Sequence, residues 1–213
     1  MTARHDDDVY PKGDILRLIG SDRMTEATKA ALRARLATVS AGPATPVLNA
    51  SQLVALSAIA ARLIPQTQRT SAIDLVDAFH RRLADDTGLG WRYADLPPTT
   101  QLHQRGLSAT DASAVAIFGK AFVALPPARQ DELLQVIQGG RTDEAAWQGV
   151  NPALWFTELL ATLVDIFYSH PLAQDEIGYA GMADAQGWSE VGLDAREAHE
   201  PMPLLVHSDS SRT

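Results

Sequence analysis

The chain has 213 residues, 46% of them hydrophobic, a net charge of −8 and no cysteine. That is enough apolar content for a real core, and it excludes a chain disordered throughout. The acidic balance and the lack of a dense Lys/Arg cluster argue against a nucleic-acid partner; the missing thiols exclude disulfides, thiolate metal sites, cysteine nucleophiles and covalent c-type haem attachment.

The opening MTARHDDDVYPKGD carries three consecutive Asp and no apolar run, so it reads as neither a secretory nor a twin-arginine leader. After a short apolar turn at Ile15 to Ile19, TEATKAALRARLATV predicts a helix with Thr25 as N-cap and Glu26 in the first turn. SAGPATP, residues 40–46, reads as a linker, and residues 1–46 are expected to form an arm.

LNASQL starts the next helix: Asn49 and Gln52 suit a capping box, and Leu48 and Leu53 suit the hydrophobic staple. Leu53, Leu56, Ile59, Ala60 and Leu63 follow at helical spacing until Pro65. Ile73, Val76, Phe79 and Leu83 mark a further amphipathic helix that stops at DDTGLG. WRYADLPPTT, residues 91–100, reads as an ordered loop, and a helical region is predicted from about Gln101 to Val123, with Gly106 and Gly119 as weak points.

LPPARQDELLQVIQGG predicts a compact helix with Pro127 at N1 and Gly139 at its end. In NPALWFTELLATLVDIFYSHP, Asn151 suits the N-cap and Pro152 suits N1. Trp155, Leu159, Leu163, Ile166 and Phe167 form its apolar face, and Pro171 bars continuation. This stretch is too short and too interrupted by Glu158 and Asp165 to span a bilayer, so direct membrane insertion is not expected. Residues 196–213 read as a tail that stays loose without a partner. The expected architecture is all-α: a single irregular helical domain of about six helices over residues 47–195, with the arm before it and the tail after.

Little in the chain suggests chemistry. His5, His80, His103, His170, His199 and His207 fall at no helical ligand spacing, and H-E-x-x-H and Glu-x-x-His are absent. There is no G-x-S-x-G, G-x-G-x-x-G or P-loop. Asp85 and Asp86 near His80 form a possible acid/base group, set against the simpler reading of a solvated helix end. No residue is assigned to catalysis, a metal or a cofactor.

The remaining stretch is FYSHPLAQDEIGYAGMADAQGW, residues 167–188. Ser169-His170-Pro171 closes a helix, the glycines serve turns, and His170 is placed to cap the preceding carbonyls. Tyr168, Tyr179 and Trp188 with Glu176 fall on irregular backbone, where aromatics often anchor interfaces. The residues alone leave two readings open: a lid packed on its own helices, or a docking surface.

The pattern YSHP-x-A-x-x-EIGYAG followed by G-W resembles the C-terminal signature of the gluconate 2-dehydrogenase subunit 3 family. NASQL leading into ARLIP at 61–65, IDLVDAF at 73–79, ALPPARQDELL at 124–134 and WFTELL at 155–160 stand in family order, covering roughly residues 47–195. The resemblance implies a non-catalytic helical small subunit. It would wrap a large flavoprotein of the glucose-methanol-choline oxidoreductase type, which holds FAD and oxidises a sugar or sugar acid, and would support its maturation. Many such complexes add a membrane-anchored multihaem cytochrome c.

The expected contacts are Tyr168, His170, Glu176, Tyr179 and Trp188, with Trp91 and Tyr93 as a second patch. The expected location is the cytoplasm, or the periplasm through export with a signal-bearing partner. The rival readings are a helical adaptor or chaperone that binds transiently, and a stand-alone enzyme using His170 with Asp175 or Glu176.

Overall fold

The computed structural model describes residues 14–22, 24–37, 45–69, 71–85, 96–179, 190 and 192–195. Among them every regular element is helical: α1 (Asp14–Ile19), α2 (Glu26–Leu36), α3 (Ala50–Leu63), α4 (Leu75–Ala84), α5 (Thr99–Phe118), α6 (Pro127–Gln138), α7 (Glu144–Trp147), α8 (Pro152–Tyr168) and α9 (Pro171–Glu176), with a 3-10 turn at Phe122–Ala124. The all-α expectation holds. The count exceeds six because α1, α7 and α9, of four to six residues each, are too short to show a helical period. No helix among the described residues is long and apolar enough to cross a membrane.

Packing groups the chain as residues 39–167 and, separately, residues 1–38 with 168–213, whereas the sequence reading divided it at 46 and 195.

In the 39–167 unit, local chemistry sets the helix ends as expected. Asn49 Oδ1 accepts from Gln52 N while Gln52 Oε1 accepts from Asn49 N, both at 2.9 Å, completing the capping box that starts α3. Pro127 opens α6, and Asn151 Oδ1 accepts from Leu154 N at 3.1 Å to open α8. The predicted helix of 101–123 is shorter at its end than expected. Gly119 takes φ 69° and stops α5 at Phe118, and the Asp111 carboxylate then accepts from Phe122 N at 2.8 Å, holding the 3-10 turn as a separate element.

α5 is the central element, meeting α3, α4, α6 and α7. Its inner face carries Leu102, His103, Gly106, Leu107 and Thr110, all buried. At Gly106 the missing side chain is what lets Trp155 of α8 fit, since a β-carbon there would fall inside the indole. Trp155 stacks edge-on with Trp147, ring centroids 5.2 Å apart, and Trp147 Nε1 donates to Ser113 Oγ at 3.2 Å. Buried Phe79, Phe122, Leu133, Ile137, Leu159 and Leu163 complete this core. At the surface Arg62 grips Asp131 with two hydrogen bonds, at 2.7 and 2.5 Å. That pairing raises the guanidinium pKa and lowers the carboxyl pKa.

In the other unit α1, α2 and α9 pack together. Ile15, Leu18, Ile19, Met24 and Leu32 form its core, with Leu36 against them. Ile15 to Ile19 is thus a helix rather than an apolar turn, and α2 starts at the predicted cap, Thr25. Arg35 donates to the Ser169 carbonyl at 3.0 Å, tying α2 to the residue after α8.

Candidate functional site

Within residues 168–179, Pro171–Glu176 form a short helix, α9, with a defined start and stop. Pro171 sits at N1, where its missing N–H costs nothing, and His170 is the N-cap, its Nδ1 accepting from Leu172 N at 3.2 Å. His170 thus caps the helix that follows it, which corrects its expected role on the carbonyls before it. A ring nitrogen that accepts carries no proton, so this contact uses the lone pair and not a positive charge.

The end of α9 is a Schellman motif. Gly178 takes φ 64°, its N–H reaches the Asp175 carbonyl at 3.3 Å, and Tyr179 N–H reaches the Gln174 carbonyl at 2.9 Å. The run H-P-L-A-Q-D-E-I-G-Y therefore encodes cap, first turn and stop in ten residues. The expectation of irregular backbone here was wrong at Tyr168, the last residue of α8, and over Pro171–Glu176, because one proline both ends α8 and begins α9.

The Asp175 carboxylate accepts from Ile15 N at 3.2 Å, placing an acid at the start of α1 from 160 residues away. Gln174 is buried, and its Oε1 has no hydrogen-bond partner among the described residues. Neither residue was singled out from sequence as a structural anchor, and no local signal marks them, since their roles depend on burial or on a helix far off in the chain.

Of the residues expected to contact a partner, Tyr168, Tyr179 and Glu176 are exposed and His170 is half-buried. Ile177 joins them at 43% exposure, equal to Tyr179 and close to Tyr168 at 45%. Ile177 is the residue sequence reasoning passed over. Trp91, Tyr93 and Trp188 lie outside the described residues, as does Asp86. In the enzymatic reading, His170 Nδ1 is engaged with Leu172 N and the Asp175 carboxylate with Ile15 N, so both groups serve the fold.

The other histidines near candidate chemistry are structural. His80 is buried, and its Nε2 accepts from both Val47 N and Leu48 N, at 3.0 and 3.1 Å. Burial lowers its pKa, with Asp77 pulling weakly the other way. Asp85 is the exposed C-cap of α4, in line with a solvated helix end. His103 is buried edge-on against Phe79, centroids 4.9 Å apart, and burial brings its pKa from 6.5 down to about 3. A groove of about 500 Å³ between α3 and α5 is lined by Ser51, Gln52, Ser108, Asp111, Ala112 and Val115, among others. Its main polar groups are engaged by the fold: Gln52 Nε2 donates to the Gln104 carbonyl and Ser108 Oγ, and Asp111 holds Phe122 N. Among the described residues no three His, Asp or Glu side chains group as metal ligands.

A family model, Gluconate 2-dehydrogenase subunit 3, matches residues 50–193. The chain belongs to this family. The match takes in α3 to α9, the Schellman stop and the exposed Ile177 and Tyr179. Neither the curated proteins nor the solved structures give a match. Membership in the gluconate 2-dehydrogenase subunit 3 family implies a subunit of a gluconate 2-dehydrogenase complex, and so implies other subunits.

Proposed function

We propose that this chain is the non-catalytic small subunit that binds and stabilises a large flavoprotein of the glucose-methanol-choline type. That partner holds FAD and oxidises a sugar or sugar acid. The supporting observation is that the family's C-terminal signature folds into a short helix with a defined cap and stop, flanked by large exposed residues: Tyr168 before it, Ile177 and Tyr179 after it. Aromatic and aliphatic groups of this size gain most when a partner removes them from water, and a fixed backbone lowers the ordering cost. Glu176 and half-buried His170 would supply the polar rim, with Trp188, Trp91 and Tyr93 as further contacts.

FAD belongs on the partner in this reading, because this sequence has no dinucleotide fingerprint, and hydride and electron transfer belong there with it. A multihaem cytochrome c would be the third subunit and electron acceptor. Binding only the folded flavoprotein would stabilise it by mass action, about 2.7 kcal/mol at a hundredfold excess over Kd, which is the physical content of a maturation role. The pair would work in the cytoplasm, or in the periplasm after export on the partner's signal.

The test is purification of the tagged chain from its host, with a visible spectrum and identification of bound chains. A stoichiometric flavoprotein with FAD absorbance is expected. A colourless, partner-free monomer would overturn the reading and redirect attention to His170 as an enzymatic group.

A further inference from the structure

We propose that His80 is an acid-sensitive clasp on the segment that leads into α3. Three consecutive backbone N–H groups there are held by side chains: Val47 and Leu48 by His80 Nε2, at 3.0 and 3.1 Å, and Asn49 by Gln52 Oε1 at 2.9 Å. The Val47 carbonyl is held the same way, accepting from Gln104 Nε2 of α5 at 2.6 Å. Side chains from α3, α4 and α5 thus converge on three residues, and of the groups that bind them only the imidazole titrates between about pH 5 and 8.

Accepting two N–H groups requires Nε2 to carry no proton, so the neutral ring is the tautomer protonated on Nδ1. A second proton on Nε2 would point at both donors, costing two hydrogen bonds, the one to Leu48 buried and the one to Val47 partly so, and setting N–H against N–H.

Among the described residues, the charged surroundings can be named. α4 carries Asp77, Arg81 and Arg82; Asp77 pairs with Arg81, and Arg82 with Asp165 of α8. α5 carries His103, Arg105 and Asp111, of which His103 is buried on Phe79 and Asp111 holds Phe122 N. The only charge on α3 is Arg62 near its far end, paired with Asp131, and residues 45–49 carry none. Asp77 is the group that favours the proton, and its pairing with Arg81 blunts that pull.

Protonation frees Val47 and Leu48 while leaving the Asn49–Gln52 box formed, so the clasp opens at one point only. The freed residues lie where the chain enters the 39–167 unit, which makes that entry stiff at neutral pH and loose in acid.

Residue-resolved amide exchange on the full chain tests this, as protection factors at Val47 and Leu48 relative to core amides of Leu56 and Leu133. The relative protection is expected to fall about tenfold or more between about pH 7.5 and about pH 5. In His80→Gln, which keeps an acceptor that does not titrate, it should stay flat. A relative protection that is flat in the wild type, or that falls equally in both proteins, overturns the clasp. Should His80→Gln fail to fold, ring 15N shifts of the wild type at neutral pH decide: a proton on Nδ1 supports the clasp, and a proton on Nε2 overturns it.

Discussion

Gly106 of α5 faces the indole of Trp155 of α8 so closely that a β-carbon on the glycine would lie within the ring. A glycine in the middle of a 20-residue helix costs about 1 kcal/mol against alanine, so its place here is set by packing and not by helix propensity.

Gly106→Ala is therefore expected to destabilise despite the better helix former, by about 1–3 kcal/mol or more, as overpacked cores do. Urea unfolding followed by Trp fluorescence measures it. A control is Gly119→Ala, which meets nothing within 4 Å but keeps φ at 69°, and should cost about 1–2 kcal/mol from backbone strain alone. A neutral or stabilising Gly106→Ala would show that α8 can shift away from α5.

Asp175→Ala removes the acceptor at the start of α1. A loss of about 0.5–2 kcal/mol is expected, the range for losing a helix N-terminal acceptor. The loss should appear as faster amide exchange in α1, α2 and α9, with exchange in α3 to α8 unchanged. Uniform acceleration through the whole chain would contradict this account.

His103 predicts how the protein responds to acid. Its folded pKa is about 3 against 6.5 unfolded, so above about pH 6.5 both states are neutral and the contribution is complete. Between those values only the unfolded chain takes up the proton, and stability falls as pH falls, by up to about 1.4 kcal/mol per pH unit. The lowered pKa of His80 acts in the same direction. His103→Leu should flatten the acid limb of a plot of urea midpoint against pH, while wild-type protein should lose stability steadily below about pH 6.5. Equal slopes in the two proteins would mean that carboxylates govern acid unfolding.

For the docking surface proposed above, Ile177→Glu and Tyr179→Ala are expected to weaken recovery of the proposed flavoprotein partner about tenfold or more, with helical content and melting temperature of the free chain little changed. Gly178→Ala should reach the same end indirectly, straining the Schellman stop that sets the Tyr179 backbone and costing about 1–2 kcal/mol in the free chain as well. Undiminished recovery with all three would move the interface elsewhere on the chain.

What was legible in the sequence was local. The Asn49–Gln52 box, Thr25 as a cap, and Pro127 and Pro152 at N1 each depend on neighbours within a turn or two and stand as read; the apolar face of α8 holds at Trp155, Leu159, Leu163 and Ile166, while Phe167 is only half-buried and Phe156 takes a buried place. What was hidden depends on distance or brevity. Nothing near His80 reveals that its ring serves Val47 and Leu48, 33 and 32 residues back. Asp175 drew notice only as a possible partner of His170 in the enzymatic reading, since nothing local shows that it serves Ile15 N, 160 residues away. α9 is too short for periodicity, and Pro171 announced an ending more loudly than the beginning it also makes. The large exposed groups of the signature were half legible: Tyr168 and Tyr179 drew attention as aromatics, while Ile177 was noticed only once its exposure was known.

The Asp175–Ile15 bond also has a bearing on how the protein is born. Residues 39–167 are one unbroken run, whereas α1 and α2, made before it, pack against α9, made after it. At roughly 5–20 residues per second, synthesis leaves the first two helices waiting on the order of ten seconds with Ile15, Leu18 and Leu32 uncovered. The central helices can assemble while still attached to the ribosome. The unit that holds α1 and α2 cannot close until α9 has followed that whole run out of the ribosome, so the closing of this unit reports that the run before it has been made.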